Sequence, residues 1–177
     1  MAIYFDKYIN YFSEISPDKA FMNFGIDYLN TEMPYFDRLG LNVYQPGKWT
    51  VPDILQHLID TERIFTNRAL RFASHDNTLL PGFDENLFAE NGHASERSCY
   101  DLLAEYELVR ASMVALFNSF NEDDLEKEGM CFKTMISVMA IGFTIVGHPM
   151  HHLLIIKKKY FTLNRIQGKI FCNIYFK

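Results

Sequence analysis

Apolar residues recur every three or four positions in four separate stretches of the chain, with polar residues between them. This rhythm predicts four amphipathic helices that pack their apolar faces together. The four stripes are Met22, Ile26, Leu29, Met33 and Phe36; Ile54, Leu58, Thr61, Phe65, Arg68 and Phe72; Leu102, Tyr106, Val109, Met113, Leu116 and Phe120; and Val138, Ile141, Ile145, His148, His152 and Ile155. The pattern therefore predicts an all-α fold, a four-helix bundle.

Helix starts are marked by capping residues. Ser16 followed by Pro17 is a plausible start for the first helix. Thr50 and Asp53 are spaced as a capping box at the start of the second, with Asp in place of the commoner Glu. Ser98 is a capping candidate for the third. These signals support the division into helices.

Two connections are long for a bundle of neighbouring helices. The first covers about residues 75–97, between helices two and three, and the second covers residues 121–134. A short helical turn is expected at residues 84–88. A long crossover between helices two and three indicates either a functional lid or a parallel step in the bundle.

Histidine is the residue type that points to chemistry. His148 and His152 are four residues apart, occupy two positions of the fourth apolar stripe, and project from one helix face. His57 borders the apolar stripe of the second helix. His151 is rotated by about 100° from His152 and lies off the stripe. We therefore predict that His57, His148 and His152 share one divalent metal ion.

Three neutral imidazoles suit Zn²⁺, Ni²⁺, Fe²⁺ or Mn²⁺, and the sequence does not separate these ions. An ion with three protein ligands keeps a position open for water or for a substrate thiolate, as catalysis requires. Two other interpretations stay open. The metal orders the bundle of a non-catalytic ligand-binding or stress-associated protein, or the histidines are hydrogen-bonded core residues without an ion.

An acid or base near the ion would complete a catalytic site. Asp60 is the best candidate, because it lies three residues after His57 on the same helix. Glu62, Asp84 and Glu85 are weaker candidates and are more typical of a solvated surface.

Arg68 is unusual because it stands on the apolar stripe of the second helix. It either binds an anionic substrate group or forms a buried ion pair with a carboxylate, for which we name Glu105. The buried pair is the preferred interpretation.

Composition narrows the classes of protein. The chain has 177 residues, of which 49% are hydrophobic and 22% charged, and this suggests one folded domain. We find no charge-free apolar run of membrane-spanning length and no signal-peptide pattern, so we expect a cytoplasmic protein that does not enter a membrane.

Charge and cysteine content exclude further classes. The net charge is −5, and the short basic run at residues 157–159 is typical of a solvated helix end, so no nucleic-acid partner is expected. The three cysteines share no CxxC spacing, and neither a disulfide framework nor a cysteine-zinc site is predicted. The expected partner is a small-molecule substrate.

Five segments, in this order, resemble the DinB-like superfamily over about residues 1–161. They are KWTV at 48–51, HLIDTERIF at 57–65, RALRF at 68–72, LPGFD at 80–84 and GHPMHH at 147–152. The resemblance implies a four-helix bundle of the DinB/YfiT-like type with a long crossover between helices two and three. Residues 162–177 continue beyond the resemblance as a tail of unassigned role.

The resemblance also carries expectations about the site. It implies a three-histidine divalent metal site, here at His57, His148 and His152, and commonly a homodimer. Superfamily members include thiol-dependent S-transferases, a mycothiol-dependent isomerase and proteins described as metal-dependent hydrolases. We therefore expect a metal-dependent hydrolase or a transferase that uses a low-molecular-weight thiol, while fold and metal site transfer better than any reaction.

Overall fold

The structure, a computed structural model, describes residues 26–131 and 133–160. In chain order its elements are α1 (Ile26–Leu39), α2 (Val51–Ala73), α3 (Glu85–Asn91), α4 (Cys99–Phe117), α5 (Glu122–Glu126), β1 (Glu128–Cys131), β2 (Thr134–Ser137) and α6 (Val138–Ile155). A 3-10 turn at Ala94–Glu96 precedes α4, and a π-helical turn at Ile156–Tyr160 follows α6. The long helices are α1, α2, α4 and α6, so the predicted four-helix bundle is confirmed.

Helix α2 is the centre of the bundle. It packs against α4 and α6, while α1 packs against α4. All six residues of its predicted stripe are buried. One apolar cluster joins the first half of α2 to α1, α4 and the end of α6, and a second joins the later half of α2 to the hairpin and the start of α6. Along α2 the first cluster ends at Ile59 and the second begins at Phe65, so the buried polar residues Thr61 and Glu62 lie between them.

The predicted helix starts that can be compared are confirmed. The Thr50 hydroxyl accepts from the amide of Asp53 at 3.2 Å, and the Asp53 carboxylate accepts from the amide of Thr50 at 2.8 Å. The Ser98 hydroxyl caps α4 by accepting from the amide of Asp101 at 3.0 Å. The predicted start at Ser16 and the tail at residues 162–177 lie outside the described residues, as do Met22 and Cys172.

The crossover between α2 and α4 contains the expected helical turn. Helix α3 begins after Asp84, whose carboxylate accepts from the amides of Asn86 and Leu87 at 3.0 and 3.2 Å. The crossover is therefore an ordered arm of the bundle with its own capped helix.

The connection between α4 and α6 departs from the all-α prediction. It contains an antiparallel hairpin in which Gly129 pairs with Ile136 and Met130 with Met135. Strands of four residues are too short to show a reliable alternation of apolar and polar positions. A Cβ atom at Gly129 would lie 2.2 Å from ring carbons of Phe72, so the glycine lets the hairpin pack directly on α2.

The buried face of α4 is rotated from the predicted stripe. Arg110 and Phe117 are buried, whereas the predicted Val109 and Leu116 are only half-buried. The prediction chose apolar residues over a charged one at positions that fit the helical period equally well. The rotation places Arg110 in the core, where it pairs with Glu62.

Contrary to the expectation from the sequence, the last helical segment, Val138–Tyr160, is apolar and long enough to cross a membrane by length and composition alone. In the structure 56% of its apolar window is buried, and α6 packs along α2. Its apolar character is therefore that of a core helix in the bundle.

Candidate metal centre

Two helices bring three histidines together. His57 comes from the first half of α2, and His148 and His152 come from consecutive turns of α6. His57 and His148 are 6% and 8% exposed, and His152 is half-buried. The packing of α2 on α6 thus brings together the three histidines that the sequence analysis named, and it places His152 near the surface.

The three rings point the same kind of atom at one another. Nε2 of His148 lies 3.2 Å from Nε2 of His57 and 2.9 Å from Nε2 of His152. The candidate ligand atoms of all three residues lie within 4.8 Å of one another. The ring centroids are 4.6 to 4.9 Å apart. We call this group the histidine cluster.

Its spacing fits a shared cation. With metal–nitrogen bonds of 2.0–2.1 Å, two ligand nitrogens are separated by about 2.9 to 3.4 Å for bond angles from 90° to tetrahedral. Hydrogen bonds fit less well. Nε2 of His148 offers either one proton or one lone pair, yet it faces two other ring nitrogens at contact distance. A cation that accepts one lone pair from each ring satisfies all three nitrogens at once.

Burial keeps His57 neutral. Desolvation lowers the pKa of His57 from 6.5 to about 4, so its lone pair is available at neutral pH. The Trp49 ring packs on the imidazole with centroids 4.8 Å apart, and the Thr61 hydroxyl lies 3.5 Å from Nδ1. An aromatic wall on one side and a hydroxyl at Nδ1 orient the ring and aim Nε2 at the cluster.

The predicted acid or base, Asp60, is hydrogen-bonded to Gln56, a residue outside the histidine cluster. Its carboxylate accepts a hydrogen bond of 2.9 Å from the Gln56 amide, and the oxygen of that amide accepts from Arg97 at 3.1 Å. Burial raises the pKa of Asp60. The group that contacts Nδ1 of His57 is Thr61, not Asp60. A catalytic role for Asp60 stays a prediction.

Glu62 is a buried carboxylate, so the predicted solvated position is wrong. It is 2% exposed and accepts two hydrogen bonds from Arg110, at 2.7 and 2.8 Å. Arg110 also donates to the Tyr106 hydroxyl at 3.0 Å. Burial opposes the charge of Arg110, but Tyr106 and Glu62 outweigh it and raise the pKa of Arg110. The sequence analysis did not predict this ion pair. The helical spacing of Tyr106, Arg110 and Met113 was the signal that Arg110 lies on the buried face.

Arg68 is buried as predicted, but its proposed pairing with Glu105 is wrong. Arg68 donates to the sulfur of Cys131 at 3.0 Å and to the carbonyl of Pro81 at 2.9 Å. Glu105 instead bridges Arg63 and Arg97 at the half-buried surface. The crossover and the hairpin supply the acceptors for Arg68, and their paths are not readable from helical spacing.

Pro149 stands between the two ligands of α6, and the helix continues through it. A proline has no amide proton to donate to the carbonyl four residues earlier, which is that of Ile145. In the structure Arg110 donates to this carbonyl at 3.5 Å. The buried guanidinium therefore satisfies the acceptor that Pro149 leaves, one turn before His148.

A cavity of about 220 Å³ adjoins the cluster, and His152 forms part of its wall. Tyr44, Trp49 and Tyr160 supply aromatic walls. The histidine cluster is thus reachable by a small molecule, since His152 belongs both to the cluster and to the cavity.

Comparison with known proteins agrees with the observed fold. The family model of the DinB superfamily matches residues 31–156, which include all three histidines. YfiT from Bacillus subtilis, described as a probable metal-dependent hydrolase with an unusual four-helix bundle topology, aligns with a TM-score of 0.71. The alignment covers 86% of this chain and 90% of that one at 17% identity, and at such identity it shows the fold. No curated protein matches the chain.

Proposed function

The chain belongs to the DinB superfamily, and from that premise we propose that it is a metal-dependent enzyme acting on a small molecule. His57, His148 and His152 hold one divalent ion. The observation that carries the proposal is the convergence of three ring nitrogens within 4.8 Å in a largely buried position. Like groups at this spacing are poorly satisfied by one another and well satisfied by a cation.

The ion, identified only as one of Zn²⁺, Ni²⁺, Fe²⁺ or Mn²⁺, supplies Lewis acidity that lowers the pKa of a water molecule or a thiol toward neutrality. The protein's own residues do the rest. Burial holds His57 as a neutral ligand, Trp49 and Thr61 fix its ring, and His152 presents the site to the cavity.

Hydrolysis is the reaction we favour, because the similar fold of YfiT belongs to a protein described as a probable metal-dependent hydrolase. Transfer to a low-molecular-weight thiol is the second candidate, since a bound ion would also lower the pKa of a thiol and favour its thiolate. Assays of ester and amide panels, run beside a panel of electrophiles with small thiols, separate the two reactions.

The first test measures metal content by mass spectrometry after purification without a nickel resin. We expect one ion per chain, lost in the His57→Ala and His148→Ala variants. His151→Ala is the matched control, because His151 is on the same helix but outside the cluster. Protein that arrives without metal and refuses added Zn²⁺ and Ni²⁺ contradicts the proposal.

A second experiment separates a catalytic ion from a structural one. If the ion serves catalysis, His152→Ala abolishes turnover. The metal-free variant then has the same melting temperature as the metal-free wild-type protein. A purely structural ion predicts instead that metal removal lowers the melting temperature markedly and that no substrate panel shows metal-dependent turnover.

Homodimer formation and a cytoplasmic location remain proposals, and light scattering tests the first.

A further inference from the structure

The cavity beside the histidine cluster has a distinct composition. Three aromatic side chains, Tyr44, Trp49 and Tyr160, stand around it with the aliphatic Ile54 and Ile155. At about 220 Å³ it is smaller than the 300–1,000 Å³ typical of pockets for drug-sized ligands. Such a space fits a compact, flat apolar group and not a peptide or an extended chain.

The aromatic walls are held by contacts between distant parts of the chain. The Tyr160 hydroxyl donates to the backbone carbonyl of Trp49, which ties the π-helical turn after α6 to the start of α2. The Tyr44 and Tyr160 rings meet edge to face at 5.1 Å. Trp49 in turn packs on His57 at 4.8 Å. The walls and the histidine cluster therefore form one connected structure.

The charged residue that lines the cavity is a cation. None of its nine lining residues is acidic, and Lys48 is among them. A second cation, Nζ of Lys159, lies 5.9 Å from the centre of the Tyr44 ring. The nearby Asp53 carboxylate is engaged in the cap of α2, where it accepts from both the amide and the hydroxyl of Thr50. Three neutral imidazoles leave the charge of a bound divalent ion uncompensated, so the site favours an anion.

We propose that this cavity binds a small organic acid with an aromatic or other flat unsaturated body, and that Lys48 pairs with its acidic group. The body lies between Trp49, Tyr44 and Tyr160, and Asn86 from α3 offers a polar contact. The inference rests on the proposed function for the reacting end of the molecule, which faces His152. The assignment of the cavity rests only on its aromatic walls and on Lys48, and does not need the proposed function.

The probe is 3-phenylpropionate, and its neutral counterpart is 3-phenylpropan-1-ol. Trp49 is the only tryptophan in the chain, so its fluorescence reports directly on the cavity. With the zinc-loaded full-length protein we expect the acid to bind about five- to tenfold more tightly than the alcohol. Cyclohexylpropionate, which keeps the charge but loses the flat ring, is expected to bind several-fold more weakly than the phenyl acid.

Two variants test the assigned contacts by calorimetry. In the metal-free protein, where no ion attracts the acid, Lys48→Gln should remove the preference for the acid, whereas Lys133→Gln, on the hairpin side of the molecule, should keep it. Tyr44→Leu should weaken both phenyl probes by roughly three- to tenfold. Equal binding of acid and alcohol, or an unchanged preference in Lys48→Gln, overturns the assignment.

Running the same titrations on metal-free protein keeps the two proposals separate. If the protein takes up no metal but still binds the acid through Lys48 and Tyr44, the proposed function fails and the cavity assignment holds. If it binds one ion per chain and shows no preference for the acid in either form, the cavity assignment fails alone.

Discussion

Helix α2 contributes to two buried polar clusters within two turns. One cluster joins complementary groups, and the other joins groups of the same kind. Glu62 and Arg110 are complementary: opposite charges, two hydrogen bonds of 2.7 and 2.8 Å, and almost no exposure. His57, His148 and His152 are alike: three imidazoles that turn the same nitrogen toward one point. The complementary cluster is complete within the protein, whereas in our proposal the cluster of like groups is completed by a bound divalent ion.

The comparison suggests a criterion for separating structural from functional polar residues in a core. Burial alone does not distinguish them, since Glu62 and His57 are 2% and 6% exposed. What differs is whether the partners that the protein itself supplies match in charge and in donor and acceptor role.

The largest effect is expected from breaking the ion pair. Glu62→Gln leaves the Arg110 charge buried without its counter-charge, and we expect a loss of about 3–5 kcal/mol in the free energy of unfolding. Urea denaturation measures it. Metal uptake by the folded fraction should persist, because the histidine cluster does not use Glu62.

A double variant checks the reason. Glu62→Leu with Arg110→Met replaces both charges by apolar groups, and we expect it to be more stable than either single change. Additive losses in the double variant would contradict the interpretation of the two residues as one unit.

The next effect is a pH dependence specific to the histidine cluster. The folded-state pKa of His57 is about 4, below its ordinary value of 6.5. Between pH 4 and 6.5 the unfolded chain therefore binds a proton at His57 that the folded chain does not bind. Stability from this residue is complete above pH 6.5 and is lost as the pH falls toward 4, by up to about 3 kcal/mol.

The measurement compares metal-free wild-type protein with His57→Gln by denaturation at a series of pH values. The variant should lose less stability between pH 6.5 and 4, because glutamine does not titrate. Parallel curves for the two proteins would show that His57 is not held neutral by burial.

The smallest effect concerns the hydroxyl that contacts each cluster. Thr61→Val removes the group 3.5 Å from Nδ1 of His57, and we expect a loss of about tenfold in metal affinity. Tyr106→Phe removes the hydroxyl that accepts from Arg110, and we expect about 1 kcal/mol less stability with unchanged metal affinity. Competition with a chromogenic chelator measures the first quantity, and urea denaturation the second. If Tyr106→Phe weakens metal binding as much as Thr61→Val does, the two clusters are not independent.

Helical period and capping chemistry were enough to predict the bundle. The stripe of α2, the Thr50 box and the helical turn after Asp84 are local features, set by residues within a few positions of one another. The histidine cluster was predictable for a related reason. His148 and His152 share a face by spacing alone, and His57 needed only the packing of α2 on α6.

The features that were missed depend on where the connections run. Arg68 finds its acceptors on Pro81 and Cys131, which the crossover and the hairpin bring to it. Arg110 was passed over because apolar neighbours fitted the same helical period. A charged residue on a buried face is recognisable from spacing, but its partner is not, because pairing needs the rotation of two helices about their axes.

The measurement that bears most directly on the central claim is X-ray absorption spectroscopy of the zinc-loaded full-length protein, with His151→Ala as control. We predict three imidazole nitrogens at about 2.0–2.1 Å and one further light ligand in both proteins, and fewer imidazoles in His148→Ala. A zinc ion bound by fewer than three imidazoles in the wild-type protein, or a ligand shell unchanged by His148→Ala, would contradict the claim that the three rings share one ion.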